Sequence, residues 1–236
     1  MKNLETFRDS FVRWREASRE PGLTALLIVE VSLIFIATPL AGMGLMPAFV
    51  LPAMFILLVL ATLVVTSRSH LAVFVVLIAV ALSPLGTFVH AEHPSVLTEW
   101  LSAGARLLAI AALSVVIAKA VFGPGHVTLH RIQGAIVLYL NFALFFFTLY
   151  RGLDTLIANA FAGLPQSGAE YGSGAALLYF SFTALTTTGF GDITPLHPLL
   201  RSFVNLESVI GQLYPATLLA RLVSLELEHR RHFNSH

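Results

Sequence analysis

The sequence predicts an all-α membrane protein: six membrane-spanning helices, one short re-entrant helix, and a glycine-bearing loop directly after it. Three observations carry that prediction. Of the 236 residues, 56% are hydrophobic and only 11% charged, less than half of the roughly one quarter that a soluble domain carries. Six apolar segments have about the length a bilayer crossing needs, roughly 20 residues. A further apolar run is too short to cross and ends in a polar stretch with two glycines.

The first five spans are Leu23–Leu40, Gly44–Val65, Leu71–Val89, Trp100–Phe122 and Ile132–Tyr150. The sixth, Leu199–Leu225, is apolar but interrupted by Asn205, Glu207, Gln212 and Arg221. The short run is Ala175–Thr186. Polar backbone beyond such a helix survives at membrane depth only where it is buried in protein or lines an aqueous path. Neither an internal repeat nor a low-complexity segment is present.

Basic residues set the orientation. With six spans both termini share one side, together with Lys2, Arg8, Arg13, Arg15, Arg19, Arg68, Lys119, Arg131, Arg221, Arg230 and Arg231. The other side has Arg151 and Arg201, and the loop His90–Glu99 there has no Lys or Arg. Both termini are therefore expected in the cytoplasm, with the re-entrant run at the outer face and the chain in the plasma (inner) membrane. Residues 1–22 form a cytoplasmic segment in which Leu4, Phe7, Phe11 and Trp14 make one apolar stripe. It reads either as a helix lying in the inner interface or as a solvated tail. A cleaved signal peptide fits less well, because the charged region is long and contains acids.

Composition excludes several classes. With no cysteine there is no disulfide, no thiolate catalysis and no Cys-ligated zinc. A net charge of +1 gives no basis for nucleic-acid binding. No span holds an H-x-x-x-H or H-E-x-x-H metal motif. An intramembrane serine protease needs G-x-S-G on a helix and a membrane histidine. The nearest string, Tyr171-Gly172-Ser173-Gly174, lacks the first glycine and reads as a loop.

The stretch Thr186-Thr187-Thr188-Gly189-Phe190-Gly191-Asp192 follows the short run directly. A dehydrated cation needs oxygens in place of its lost water, and consecutive backbone carbonyls supply them where four chains meet on one axis. Turning the carbonyls inward demands unusual backbone angles, which Gly189 and Gly191 take at little steric cost. Thr187 adds a hydroxyl at the inner end. Phe190 points away from the axis and wedges the ring of carbonyls open. The re-entrant helix aims its partly negative carboxyl end at the ion path.

This segment resembles the selectivity filter of pore-loop potassium channels, usually T-V-G-Y-G-D. Tyr179 and Phe180 match the aromatic pair that cuffs the filter in that family, and Asp192-Ile193-Thr194-Pro195 resembles its D-x-x-P. Thr188 stands where Val or Ile is usual, and Phe190 where Tyr is commonest. The resemblance implies K⁺ ions held by oxygens of Thr187, Thr188, Gly189, Phe190 and Gly191, with Tyr179, Phe180, Thr183 and Asp192 as filter support. It implies a homotetramer embedded in lipid, because one filter per chain supplies a quarter of each cage, and no organic cofactor. It is close over Arg131–Arg221 and loose over Leu23–Phe122.

The sixth span resembles the family's pore-lining inner helix. Gly211 lies 24 residues after Thr187, where the family often places a hinge glycine, and Pro215 follows one turn later. Together they read as a gating hinge, or as a static kink needed for packing. Gln212, Ala216 and Leu219 face the cavity if the register matches. The Glu207 carboxylate, beside Asn205 at membrane depth, either attracts cations or hydrogen-bonds behind the filter, with Thr183 as the expected partner.

Six spans with the pore in the last two resemble the voltage-gated cation-channel superfamily in helix count and order. A voltage sensor needs several basic residues at every third place of the fourth span, and here Arg106 stands alone among alanines, with Lys119 near the inner end. Strong voltage gating is not expected. Glu30, the only acid inside spans one to four, is the expected partner of Arg106, unless that arginine reaches the outer interface.

The organisation is thus 1–22 cytoplasmic, 23–122 a sensor-like four-helix unit, 131–225 the pore domain and 226–236 a short tail without room for a ligand-binding domain. His126, His130, His229 and His232 gather on the cytoplasmic side as internal proton sensors or as solvated tail histidines. Residues Leu153–Gly174 resemble the variable turret before a pore helix. The rivals to a potassium-selective channel are a non-selective monovalent cation channel and a non-conducting accessory subunit.

Overall fold

The computed structural model describes residues 22–47, 50, 96–122, 129–165 and 170–233. They form five α-helices and one small two-stranded ladder. Helix α1 is Gly22–Gly42, α2 is Val96–Val121, α3 is Leu129–Asp154, α4 is Glu170–Leu185 and α5 is Pro198–Phe233. Strands β1, Phe161–Ala162, and β2, Thr194–Pro195, pair antiparallel.

Two helices among the described residues are long and apolar enough to cross a membrane, Gly22–Gly42 and Arg131–Asp154, while Ser173–Leu185 is apolar but shorter. The first two coincide in position with the expected first and fifth spans, and the third covers most of the short run Ala175–Thr186. The third span, Leu71–Val89, lies outside the described residues, as do the stripe Leu4–Trp14 and His126. The second span also lies outside them except at its start, and there the expectation needs correcting. Gly44 is in a turn, not a helix, with a left-handed φ of +70°. Its N–H bonds to the Ala41 carbonyl and that of Leu45 to the Leu40 carbonyl, closing α1.

Near its end α1 widens to a π-helical turn, Leu33–Ala37. Pro39 explains it. Proline has no N–H to give the carbonyl four residues back and its ring crowds that turn. The chain loosens just before it, and the Leu33 carbonyl accepts both the N–H of Thr38 and, at 2.8 Å, its hydroxyl.

Helix α3 is the hub. At one level Gly134 leaves room for both neighbours, since an added Cβ would meet Val121 of α2 at 2.8 Å and Leu23 of α1 at 3.3 Å. Further along, Ile34 packs with Leu140 and Leu144, so α1 runs parallel to α3. Gly152 faces Ala103, so α2 runs antiparallel. Leu26, Leu113, Ile117, Val121, Val137 and Leu138 close this three-helix core. A second core around Phe146, Tyr150, Phe161, Phe180 and Leu200 joins α3 to α4 and α5.

Helix α5 has 36 residues, about 54 Å at 1.5 Å per residue. It continues through Gly211 and Pro215 and takes in residues expected as a tail after Leu225. At its inner end Arg221 caps the Phe122 carbonyl at 2.9 Å and stands 4.8 Å from that ring's centre, tying α5 to the end of α2. The expected turret also acquires structure: it supplies β1 and the first turn of α4.

Candidate functional site

The loop after α4 has an alternating backbone. Thr187, Gly189 and Gly191 have φ of +57°, +56° and +82°, while Thr188 and Phe190 between them do not enter the positive region. A left-handed conformation costs an ordinary residue roughly 1 kcal/mol or more. Glycine removes that cost at two of the three places, and Thr187 bears it. Alternating handedness turns successive peptide groups to the same side, as in anion-binding nests but with the carbonyls presented.

The hydrogen bonds show which side is inward to the chain. The N–H groups of Thr186, Thr187, Thr188 and Gly189 all bond back to the last turn of α4, to the carbonyls of Phe182, Ala184 and, twice, Thr183. A helix leaves its last four carbonyls without partners, and here the loop's own amides take three of them. In contrast, the carbonyls of Thr187, Thr188, Gly189, Phe190 and Gly191 accept no hydrogen bond among the described residues. These five residues are exposed on the single chain.

Side chains hold the loop at both ends. At the inner end Gln212 Nε2 donates to Thr187 Oγ1 at 2.6 Å, and that hydroxyl donates to the Thr186 carbonyl at 2.7 Å. The hydroxyls of Thr186 and Thr188 lie 2.8 Å apart. At the outer end the Tyr179 ring stacks on Phe190, 6.1 Å between centres and 7° between planes, and the Asp192 carboxylate is close enough to act on the Tyr179 hydroxyl. Phe180, the next residue, turns the other way and packs 5.5 Å from Tyr150 and 5.3 Å from Phe161. The two aromatics therefore divide the work, one against the loop and one against the core.

The β1–β2 ladder clasps the segment beyond Asp192. Leu196 N donates to the Ala160 carbonyl at 2.9 Å. Gly163, at φ +83°, passes so close that a Cβ would lie 1.8 Å from the Asp192 carbonyl oxygen. Arg201 Nε closes the far side on the Pro195 carbonyl at 3.0 Å.

Helix α5 runs parallel to α4 along their contact and braces it. Ser208 donates to the Ala184 carbonyl at 3.0 Å. One turn on, Gly211 touches the helix end: a Cβ there would lie 1.7 Å from the Leu185 carbonyl oxygen. This contact supplies a packing reason for Gly211, independent of any hinge. One turn before Gly211, Glu207 is fully buried. Its Oε2 accepts from Tyr150 at 2.6 Å and its Oε1 from Ser181 at 2.5 Å, while Ser181 also lies 2.8 Å from the Ala143 carbonyl.

The expected Glu207–Thr183 bond is thus not formed. On parallel helices Glu207 is level with Ser181, and Thr183 points elsewhere, its hydroxyl on the Phe180 carbonyl at 2.8 Å. The expected Glu30–Arg106 pair is not formed either. Glu30 is fully buried, and neither carboxyl oxygen has a hydrogen-bond partner among the described residues. Leu23 and Val121 both meet Gly134, so along α1 and the antiparallel α2 Glu30 is level with Ser114, and Arg106 lies eight residues further along α2, about 12 Å away at 1.5 Å per residue. Asn205, Gln212, Ala216 and Leu219 all lie on the exposed side of α5. Tyr150, Ser181 and Ser208 were not singled out from the sequence. No local motif marks them, and only the helix contacts bring them to Glu207 and α4.

Residues 134–227 match the family model described as an ion channel. The match spans α3 from Gly134, the loop with β1, α4, the glycine-bearing loop and most of α5. It does not extend to residues 22–122, so the six-span superfamily is not what it identifies. No curated protein and no solved structure matches the chain. The segment around the candidate site is similar to an ion channel domain and not to an enzyme.

Proposed function

We propose that the chain is one subunit of a homotetrameric, potassium-selective channel. The observation that carries this reading is the run of five exposed residues from Thr187 to Gly191 whose carbonyls have no donor among the described residues, on a backbone of alternating handedness. Backbone acceptors at membrane depth are costly unless something takes the place of a donor. A dehydrated cation is such a partner. One chain offers one oxygen per level, so four chains around an axis are needed to replace a hydration shell. The unpartnered side of α5, with Leu206, Val209, Leu213 and Leu219 exposed, and Phe190, 69% exposed, are the surfaces that neighbouring subunits cover.

On this reading K⁺ is the cargo and moves passively between stacked oxygen rings. Thr187 closes the inner end, held by Gln212, and the Asp192 carboxylate at the outer mouth favours cation entry. Glu207 belongs to the scaffold behind the filter. Gly211 and Pro215 together remain the place where the inner helix bends if it gates. The chain sits in the plasma membrane with both termini cytoplasmic, as the distribution of Lys and Arg indicates.

The test is the reversal potential of the purified protein in a planar bilayer with K⁺ on one side and Na⁺ on the other. Reversal close to the K⁺ equilibrium potential is expected. Reversal near zero would make the protein a non-selective pore, with Thr188→Val as the first substitution to examine. Absence of current from a reconstituted tetramer would favour an accessory subunit.

A further inference from the structure

Four buried side-chain polar atoms have no hydrogen-bond partner among the described residues: both carboxyl oxygens of Glu30, and Oδ1 and Nδ2 of Asn141. Both residues are essentially inaccessible, at 0% and 1%. An unpaired carboxylate inside protein at membrane depth is among the costliest arrangements known. An orphaned carboxamide adds to that cost, because its donor and its acceptor both lose water without gaining a partner.

The helix register brings the two together. Leu23 of α1 and Val121 of α2 both touch Gly134 of α3. Seven residues make two helical turns and return to nearly the same face. One heptad on from Leu23 along α1 is Glu30. One heptad on from Gly134 along the parallel α3 is Asn141. One heptad back from Val121 along the antiparallel α2 is Ser114. All three therefore share one level, about 10 Å above the Gly134 contact. Glu30 also lies in the middle of the buried stripe Leu23, Leu26, Ile34 and Ala37.

We infer that Glu30 and Asn141 form a membrane-buried carboxylic acid–carboxamide pair that holds one proton and fastens α1 to the pore domain. The atoms balance. The acid O–H donates to Asn141 Oδ1, and one Nδ2–H donates to the other Glu30 oxygen. The second Nδ2–H finds the Ser114 hydroxyl, whose own proton is already spent on the Ile110 carbonyl at 2.8 Å. Side-chain rotation at this common level closes the pair. A single proton satisfies all four orphaned atoms, with no metal and no counter-charge.

The remaining ionisable side chains of the packed helices stand elsewhere. Arg106 and Lys119 of α2, and Arg131, Tyr150, Arg151 and Asp154 of α3, are five or more residues along their helices from this level. The hydroxyl of Tyr139 lies 3.5 Å from the Leu185 carbonyl, and that of Tyr214 donates to Ala135. The inference stands whether or not the pore selects potassium.

Infrared difference spectroscopy of the full chain in membranes tests it at neutral pH, alongside thermal melting of the assembly. Glu30→Gln should remove one protonated-carboxyl carbonyl band. Asn141→Leu should shift that band to higher frequency and lower the melting temperature. The double variant Glu30→Leu/Asn141→Leu should recover most of that loss, because removing both partners leaves nothing unpaired. Three outcomes overturn the inference: no band lost in Glu30→Gln, a band insensitive to Asn141→Leu, as a water-bridged acid would give, or melting losses that simply add.

Discussion

Gly211→Ala separates two roles that the sequence leaves open. As a pure hinge, the position should tolerate alanine in the resting state, and the exposed-helix preference for alanine over glycine, about 1 kcal/mol, should raise stability. The structure says otherwise. The new methyl would lie 1.7 Å from the Leu185 carbonyl oxygen, 2.7 Å from its carbon and 3.2 Å from its Cα. These are backbone atoms at the end of α4 and have no rotamer to change. Reaching ordinary contact requires the two helices to part by about 1.7 Å, the kind of overpacking that costs roughly 1–3 kcal/mol. The parting also stretches the Ser208 bond to Ala184, now 3.0 Å, past useful length, at a further cost of about 1 kcal/mol. Net destabilisation is therefore about 1–3 kcal/mol per subunit, after the helix-propensity gain is set against it. The strain falls on the helix end that anchors the loop amides. Heating purified protein and following the assembly by size-exclusion chromatography, with ion flux from vesicles as the second readout, measures both effects. A lower melting temperature with reduced flux is expected. A Gly211→Ala protein that melts at or above the parent temperature, with changes confined to opening, would refute the packing argument.

Three other perturbations follow from the same geometry. Glu207→Leu leaves Ser181 with only the Ala143 carbonyl and the buried hydroxyl of Tyr150 without an acceptor, at about 1–3 kcal/mol for that unpaired group, so melting should fall below that of Glu207→Gln, which keeps a polar partner in place. Gln212→Ala removes the 2.6 Å bond to Thr187 Oγ1, worth about 1 kcal/mol, and should lower ion occupancy at the inner end severalfold with little change in melting, read from single-channel conductance against K⁺ concentration. Gly163→Ala places a Cβ 1.8 Å from the Asp192 carbonyl oxygen at a φ of +83° and should open the β1–β2 clasp, seen as faster amide exchange at Leu196 while α3 keeps its protection.

Much of the site was legible because its chemistry is local. Glycines at alternate places, threonine at one end and a short apolar run before them specify an alternating backbone after a helix too short to span a bilayer. That information sits within about twenty consecutive residues. The first and fifth spans, too, were readable from apolar length alone, since a bilayer crossing imposes its own ruler.

What the sequence could not show are the contacts made across helices. Whether Glu207 met Thr183 or Ser181 depended on α5 lying parallel to α4 with Glu207 level with Ser181, a register no single segment encodes. Glu30 could be matched with Arg106 only by counting depth in two separate spans, and the parallel packing of α1 on α3 sets it opposite Asn141 instead. The β1–β2 clasp joins residues more than thirty apart through two strands of two residues each, too short for any periodic signal. The residue types along the chain carried the expectation of a membrane protein with a short glycine-bearing loop after an apolar helix. The tertiary structure decided which buried polar groups hold that loop, because a hydrogen bond in the membrane interior depends on depth and facing direction, and only packed helices set those.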